Sequence, residues 1–96
     1  MLDNGTLRPI RWTPHTLENL SERTIDPREV ELTIDQPEFV VPGRPPRTIF
    51  MRRYHDAHEA KEMLVRVVVE DTATERVIVT VVKASRMNRY LRGRTP

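Results

Sequence analysis

The sequence predicts an α+β fold, with two N-terminal helices packed on one face of a three- to four-stranded antiparallel sheet. Three observations predict it. Helix-start signals occur twice in succession between Trp12 and Val30. From Pro37 onward the apolar pattern changes to a period of two. Two β-branched runs, Glu62–Glu70 and Glu75–Lys83, are separated only by the polar stretch Asp71–Thr74. Helices grouped ahead of a strand meander pack as two layers, with the helices on one side.

Residues 7–12 (Leu-Arg-Pro-Ile-Arg-Trp) read as a short extended lead-in. Thr13 then caps a helix whose first residue is Pro14, where a missing N–H costs nothing. Trp12 before the cap and Leu17 after it are spaced as a hydrophobic staple. The helix spans 14–23, with Leu17 and Leu20 on its buried face. The same grammar recurs at once, with Ile25, the cap Asp26, Pro27, Glu29 and Val30. Residues 27–35 are ambiguous by period, because Val30, Leu32 and Ile34 also alternate as a strand would. The cap and the N-terminal proline are the more specific signals and favour a helix.

Glu38–Val41 reads as a short strand, and the Pro-Gly-Arg-Pro-Pro run at 42–46 as a turn. Thr48–Tyr54 is a strand and His55–Lys61 a hairpin loop. Glu62–Glu70 and Glu75–Lys83 pair as an antiparallel hairpin. Both are apolar on both faces, which suggests central strands. Residues 86–92 suit a last turn or strand beside the sheet. The sheet face away from the helices should be partly open and available to a ligand.

The chain has 96 residues, enough for one domain with a modest core. The core is expected over about 9–92, with residues 1–6 and 93–96 as flexible ends. Cysteine is absent, which excludes disulfides and a thiolate nucleophile. The start Met-Leu-Asp-Asn-Gly lacks the features of a signal peptide, and no apolar run reaches membrane-spanning length. A cytoplasmic protein is the expectation.

A net charge of +2 hides an asymmetry. Between His15 and Val41 stand seven acids and two arginines. Pro42–Tyr54 holds Arg44, Arg47, Arg52 and Arg53 with no acid, and Lys83–Pro96 holds Lys83, Arg86, Arg89, Arg92 and Arg94 with no acid. Clustered bases are the electrostatic footprint of a polyanion binder.

Two polar side chains interrupt the apolar strands, Arg66 and Thr80. With the hairpin centred near Ala73 they lie directly opposite and point to the same side. An arginine in a central strand is expensive to bury alone, so it meets either an internal carboxylate or an external anion. His15 sits in the first turn of the first helix, where an imidazole serves as an acid, a base or an oriented donor. Ser85, Arg86 and Tyr90 follow the last strand. A hydroxyl and a guanidinium there suit phosphate handling, and a packed Tyr90 fits equally well. His55, Asp56, His58 and Glu59 lack a recognised zinc spacing, so no metal site is expected. No glycine-rich phosphate loop and no Gly-x-Ser-x-Gly elbow occurs. Ribonucleases that leave a 2′,3′-cyclic phosphate need a base, a cation at the phosphorane oxygens and an acid at the leaving oxygen. They require no cofactor, and a histidine, arginines and a tyrosine are compatible with that inventory.

The pattern Thr13-Pro14-His15, Leu20, Glu22-Arg23, Ile25, Val30 and Pro37, then a basic strand, continues through Leu64-Val65-Arg66-Val67-Val68-Val69, Val79-Thr80-Val81 and Arg89-Tyr90. It resembles the bacterial domain-of-unknown-function family numbered four-two-five-eight over roughly residues 9–92. That family is similar to the RelE/ParE and BrnT-like toxins, compact α+β proteins grouped with metal-independent ribonucleases. The resemblance implies a RelE-like arrangement and a toxin-type endoribonuclease acting on RNA, with ribosome-bound messenger among the candidate substrates, encoded beside a small antitoxin protein. It implies His15, Arg66, Thr80 and Tyr90 as the active-site positions. Contact with RNA would then fall on Arg23, Arg52, Arg53, Lys83, Arg86, Arg89 and Arg92. Such sequences usually place glycine after Glu-Arg, where this chain has Thr24, a residue strained in the left-handed conformation that ends a helix. The alternatives are a non-catalytic RNA-binding module and a protein-interaction module with a basic tail.

Overall fold

Both helix starts are built as the capping signals require. In the computed structural model, which describes residues 8–85, Thr13 Oγ1 accepts the Thr16 amide and opens α1 (Pro14–Arg23). Asp26 Oδ1 accepts the Arg28 amide and opens α2 (Pro27–Asp35), which settles the ambiguous segment as a helix. The N-terminal prolines and the side-chain caps outweigh the alternating Val30, Leu32 and Ile34. Val30 and Ile34 are buried one helical turn apart, while Leu32 stays exposed.

The joint between the helices is a two-bond C-terminal motif. The Ile25 amide returns to the Leu20 carbonyl at 3.0 Å, and the Thr24 amide to the Ser21 carbonyl at 3.5 Å. Thr24 takes the left-handed conformation, φ 54° and ψ 56°, as its place predicts. Ile25 and Leu20 are both buried, which supplies the apolar contact that accompanies this motif.

The strands are β1 (Ile10–Trp12), β2 (Phe39–Pro42), β3 (Arg47–Asp56), β4 (Lys61–Asp71) and β5 (Arg76–Ala84). They form one five-stranded sheet in the order β1-β5-β4-β3-β2. The sheet is therefore mixed, where an antiparallel one of three to four strands was expected. The lead-in before α1 is itself a strand, and it runs parallel to β5 with Ile10 against Arg76 and Trp12 against Ile78. A partner more than sixty residues away leaves no mark on a local apolar pattern. β3 also continues through His55 and Asp56, which shortens the expected loop at 55–61.

Leu20, Ile25, Val30 and Ile34 from the helices pack on Phe50, Val65, Val67, Val69, Ile78 and Val81 of the sheet. Burial of this kind stabilises by roughly 25 cal/mol per Å² of apolar surface removed from water. Leu17 was assigned to the buried face, but it is 51% exposed. Trp12 packs against the core. The opposite face of β4 carries Leu64, Arg66 and Val68. Leu64 and Val68, with Met51 of β3, are buried, so the centre of that face is not the open surface the sequence suggests.

Candidate functional site

α1 is pinned to β5 by its first turn. The Thr16 hydroxyl donates to the Ile78 carbonyl at 2.8 Å, and the Thr13 hydroxyl donates to the same oxygen at 3.3 Å. This fixes the helix mouth, and His15 is exposed there. One turn further on, Asn19 is 7% exposed, and its Nδ2 stands 3.5 Å from His15 Nε2. The same amide nitrogen donates to Thr80 Oγ1 at 3.3 Å. His15, Asn19 and Thr80 thus form one chain of polar contacts from the helix to the sheet.

Thr80 reaches Asn19 because β5 is irregular where it lies. The β4–β5 register pairs Val68 with Thr80 and then Val69 with Ile78, so one residue is extra on β5. Such a bulge bends the strand and re-aims a side chain. Arg66 pairs with Val82 rather than with Thr80, which shifts the expected register by two residues. Arg66 and Thr80 are diagonal neighbours in the backbone register, but the Thr80 side chain meets Asn19 of α1, whereas Arg66 alternates with the core-facing Val65 and Val67 and so stands on the other face of β4. Arg66 is half-buried on that face, beside Met51 and Val82, and it has an interaction partner.

The remaining positions divide differently. Arg52 pairs with Glu29 of α2 at 3.5 Å. Arg53 holds Glu38 through two guanidinium nitrogens, at 3.1 and 2.8 Å, and through its own amide. Those bonds, the side-chain one first, pull the Glu38 carboxyl down to about 2. Arg23 is exposed in the last turn of α1, where a cation suits the helix dipole. Lys83, expected among the RNA-contacting cations, points inward, with its side chain only 6% exposed. Its ammonium donates to Asp56 Oδ2 at 3.0 Å and to the Thr24 carbonyl at 3.1 Å. Tyr90, Arg86, Arg89 and Arg92, and the turn or strand expected at 86–92, lie outside the described residues.

Asp56 is the second polar centre. Its carboxylate accepts the Tyr54 hydroxyl, the His58 and Glu59 amides and the Lys83 ammonium. The Tyr54 bond is the largest reason the Asp56 carboxyl is held well below its usual range, with the Glu59 amide and Lys83 adding to it against the cost of burial. Burial first, and then the bond to Asp56, push the Tyr54 hydroxyl up. This group walls a cleft of about 540 Å³ that also meets Ser21, Thr24, Glu29 and His58. The acids there have internal cations, Asp26 with Arg28, Glu29 with Arg52 and Asp56 with Lys83. The cleft therefore presents little uncompensated charge. No group of three His, Cys, Asp or Glu among the described residues is arranged to hold a metal ion.

Sequence reasoning passed over Asn19. Its place four residues after His15 was the available signal, because side chains at that spacing share a helix face. The Lys83–Asp56 pair had no such signal, since it joins residues 27 apart on different strands.

No helix among the described residues is long and apolar enough to cross a membrane. No curated protein and no solved structure matches the chain. A family profile described as Domain of unknown function (DUF4258) matches residues 12–83, a span that contains His15, Asn19, Arg66 and Thr80. That match covers most of the sequence, and the chain belongs to the DUF4258 family.

Proposed function

We propose that this chain is a toxin-type endoribonuclease of the cytoplasm that cleaves RNA by transfer to the 2′-oxygen. The carrying observation is the polar chain from His15 through Asn19 to Thr80, with Arg66 diagonal to Thr80 on the neighbouring strand. An imidazole and a guanidinium that both reach the phosphate are a sufficient core for phosphoryl transfer that uses no bound cofactor. In this reading the 2′-oxygen loses its proton and attacks phosphorus. The bond to the 5′ oxygen breaks, and that oxygen gains a proton. The products are a 2′,3′-cyclic phosphate and a 5′-hydroxyl. Arg66 holds the phosphate, His15 works at the reacting centre, and Thr80 fixes the group that holds His15. Tyr90 is the further donor that the family resemblance suggests. RNA is the substrate, and a small antitoxin protein is the proposed partner.

Induced expression in a bacterial host tests this, with wild type beside His15→Ala and Arg66→Ala at matched soluble protein. Growth arrest by wild type alone, with RNA fragments ending in 2′,3′-cyclic phosphate, is the expected result. In vitro, His15→Ala should cut cleavage by about 100-fold or more, the range of a group positioned to handle a proton or to stabilise developing charge. Arrest by all three proteins at similar strength would instead favour a non-catalytic RNA-binding module, a reading supported by the clustered arginines of the sequence.

A further inference from the structure

We propose that Asn19 is a positioning residue that holds His15 in the tautomer protonated at Nδ1, so that the ring meets substrate as a hydrogen-bond donor. The role assigned to the donor rests on the ribonuclease reading, but the tautomer does not. Asn19 is buried in the middle of α1, and its amide nitrogen lies between two partners, Thr80 Oγ1 at 3.3 Å and His15 Nε2 at 3.5 Å. A primary amide nitrogen has two hydrogens and no lone pair to offer. It donates one to the Thr80 hydroxyl. Its approach to Nε2 is favourable only if that nitrogen is an acceptor. The proton of the neutral ring then stands on Nδ1, the reverse of the preference of a free histidine side chain. In a histidine, the bond made by one ring nitrogen decides the state of the other.

The support is cooperative. Thr16 and Thr13 fix the first turn of α1 to the Ile78 carbonyl, which sets where residue 15 begins. The bulge in β5 brings Thr80 within reach of Asn19. Thr80 thereby acts on His15 at second hand, which gives a polar side chain in an apolar strand its reason. His15 is exposed, and among the described residues no group occupies Nδ1. Its Nδ1–H is therefore available to an anionic oxygen. At a phosphate that contact grows stronger as negative charge accumulates on the non-bridging oxygens in the transition state. His15 then stabilises charge, and the proton of the 2′-hydroxyl goes to another acceptor, such as solvent.

The test is a long-range ¹H–¹⁵N correlation spectrum of the uniformly labelled full chain at neutral pH. His15→Gln assigns the ring, and His55 and His58 serve as internal references. Wild type should show Nδ1 protonated and Nε2 bare. Asn19→Ala should move His15 to the Nε2-protonated pattern while His55 and His58 keep theirs. If Asn19→Ala does not fold, Thr80→Val removes the amide's other partner from a less buried position and should weaken the Nδ1 preference. A wild-type ring protonated at Nε2, or a pattern indifferent to both substitutions, would overturn the inference. Cleavage of a short oligoribonucleotide is measured on the same samples. The Nδ1 pattern without cleavage leaves this inference standing and removes the ribonuclease reading. Cleavage by a ring protonated at Nε2 does the opposite.

Discussion

Asp56 and Lys83 show at single residues how burial converts charge into stability. Each side chain is 6% exposed, so neither is screened by water, and each is the other's charged partner. Removing one end of such a pair strands the other. Lys83→Met should destabilise the fold by about 3 kcal/mol, read as a lower urea midpoint at unchanged slope. Tyr54→Phe removes the largest cause of the low Asp56 carboxyl and should cost about 2 kcal/mol at neutral pH, the scale of a hydrogen bond to a charged group. The sign of the pH effect follows. A carboxyl lower in the folded than in the unfolded chain contributes its full stability above the unfolded value, about 3.9. That stability is lost as pH falls from there toward the folded value. Wild type should therefore lose stability between about pH 4 and pH 2 more steeply than Tyr54→Phe, and urea titrations at several pH values check it.

At the scale of elements, the joint after α1 is the place where local preference and global packing disagree. Thr24 is β-branched and yet sits at φ 54°. Left-handed geometry costs such a residue about 1–2 kcal/mol. The conformation persists because Ile25 and Leu20 must meet beneath it and because the Thr24 carbonyl receives Lys83. Thr24→Gly keeps that carbonyl and removes the clash. Its net gain should be about 1 kcal/mol after the larger chain entropy of glycine, read as a higher thermal midpoint. Both helices and the β4–β5 hairpin were legible in the sequence, because caps, prolines and alternation are local signals. The parallel pairing of β1, the bulge before Val69 and the two-residue shift of Arg66 were not. Each depends on where a distant strand lies. His15, Arg66 and Thr80 were legible as polar exceptions in their settings, whereas Asn19 looked like an ordinary surface residue of an acidic helix.

For the whole molecule, the charge distribution assigns the salt dependence of any RNA binding. Arg52, Arg53 and Lys83 face internal acids, whereas the segment after Ser85 contributes Arg86, Arg89, Arg92 and Arg94 with no acid. Replacing Arg89, Arg92 and Arg94 together by alanine should flatten the slope of log affinity against log salt by about 2 for single-stranded RNA. Arg53→Gln should leave it nearly unchanged, as fluorescence anisotropy over a salt series will show. The parallel contact of β1 with β5 carries a kinetic consequence. β3, β4 and β5 are joined by short turns and can zip from neighbour to neighbour, whereas the Thr16–Ile78 bond closes a span of 62 residues. Long closures form late, because their entropy is lost before their contacts reward it. Substitutions at Leu20 should therefore speed unfolding and barely slow refolding in stopped-flow experiments. Arg66 belongs to the early meander, and His15 and Asn19 to the last segment to dock. A chain whose N-terminal segment has transiently peeled away would hold Arg66 in its sheet without His15 docked against it.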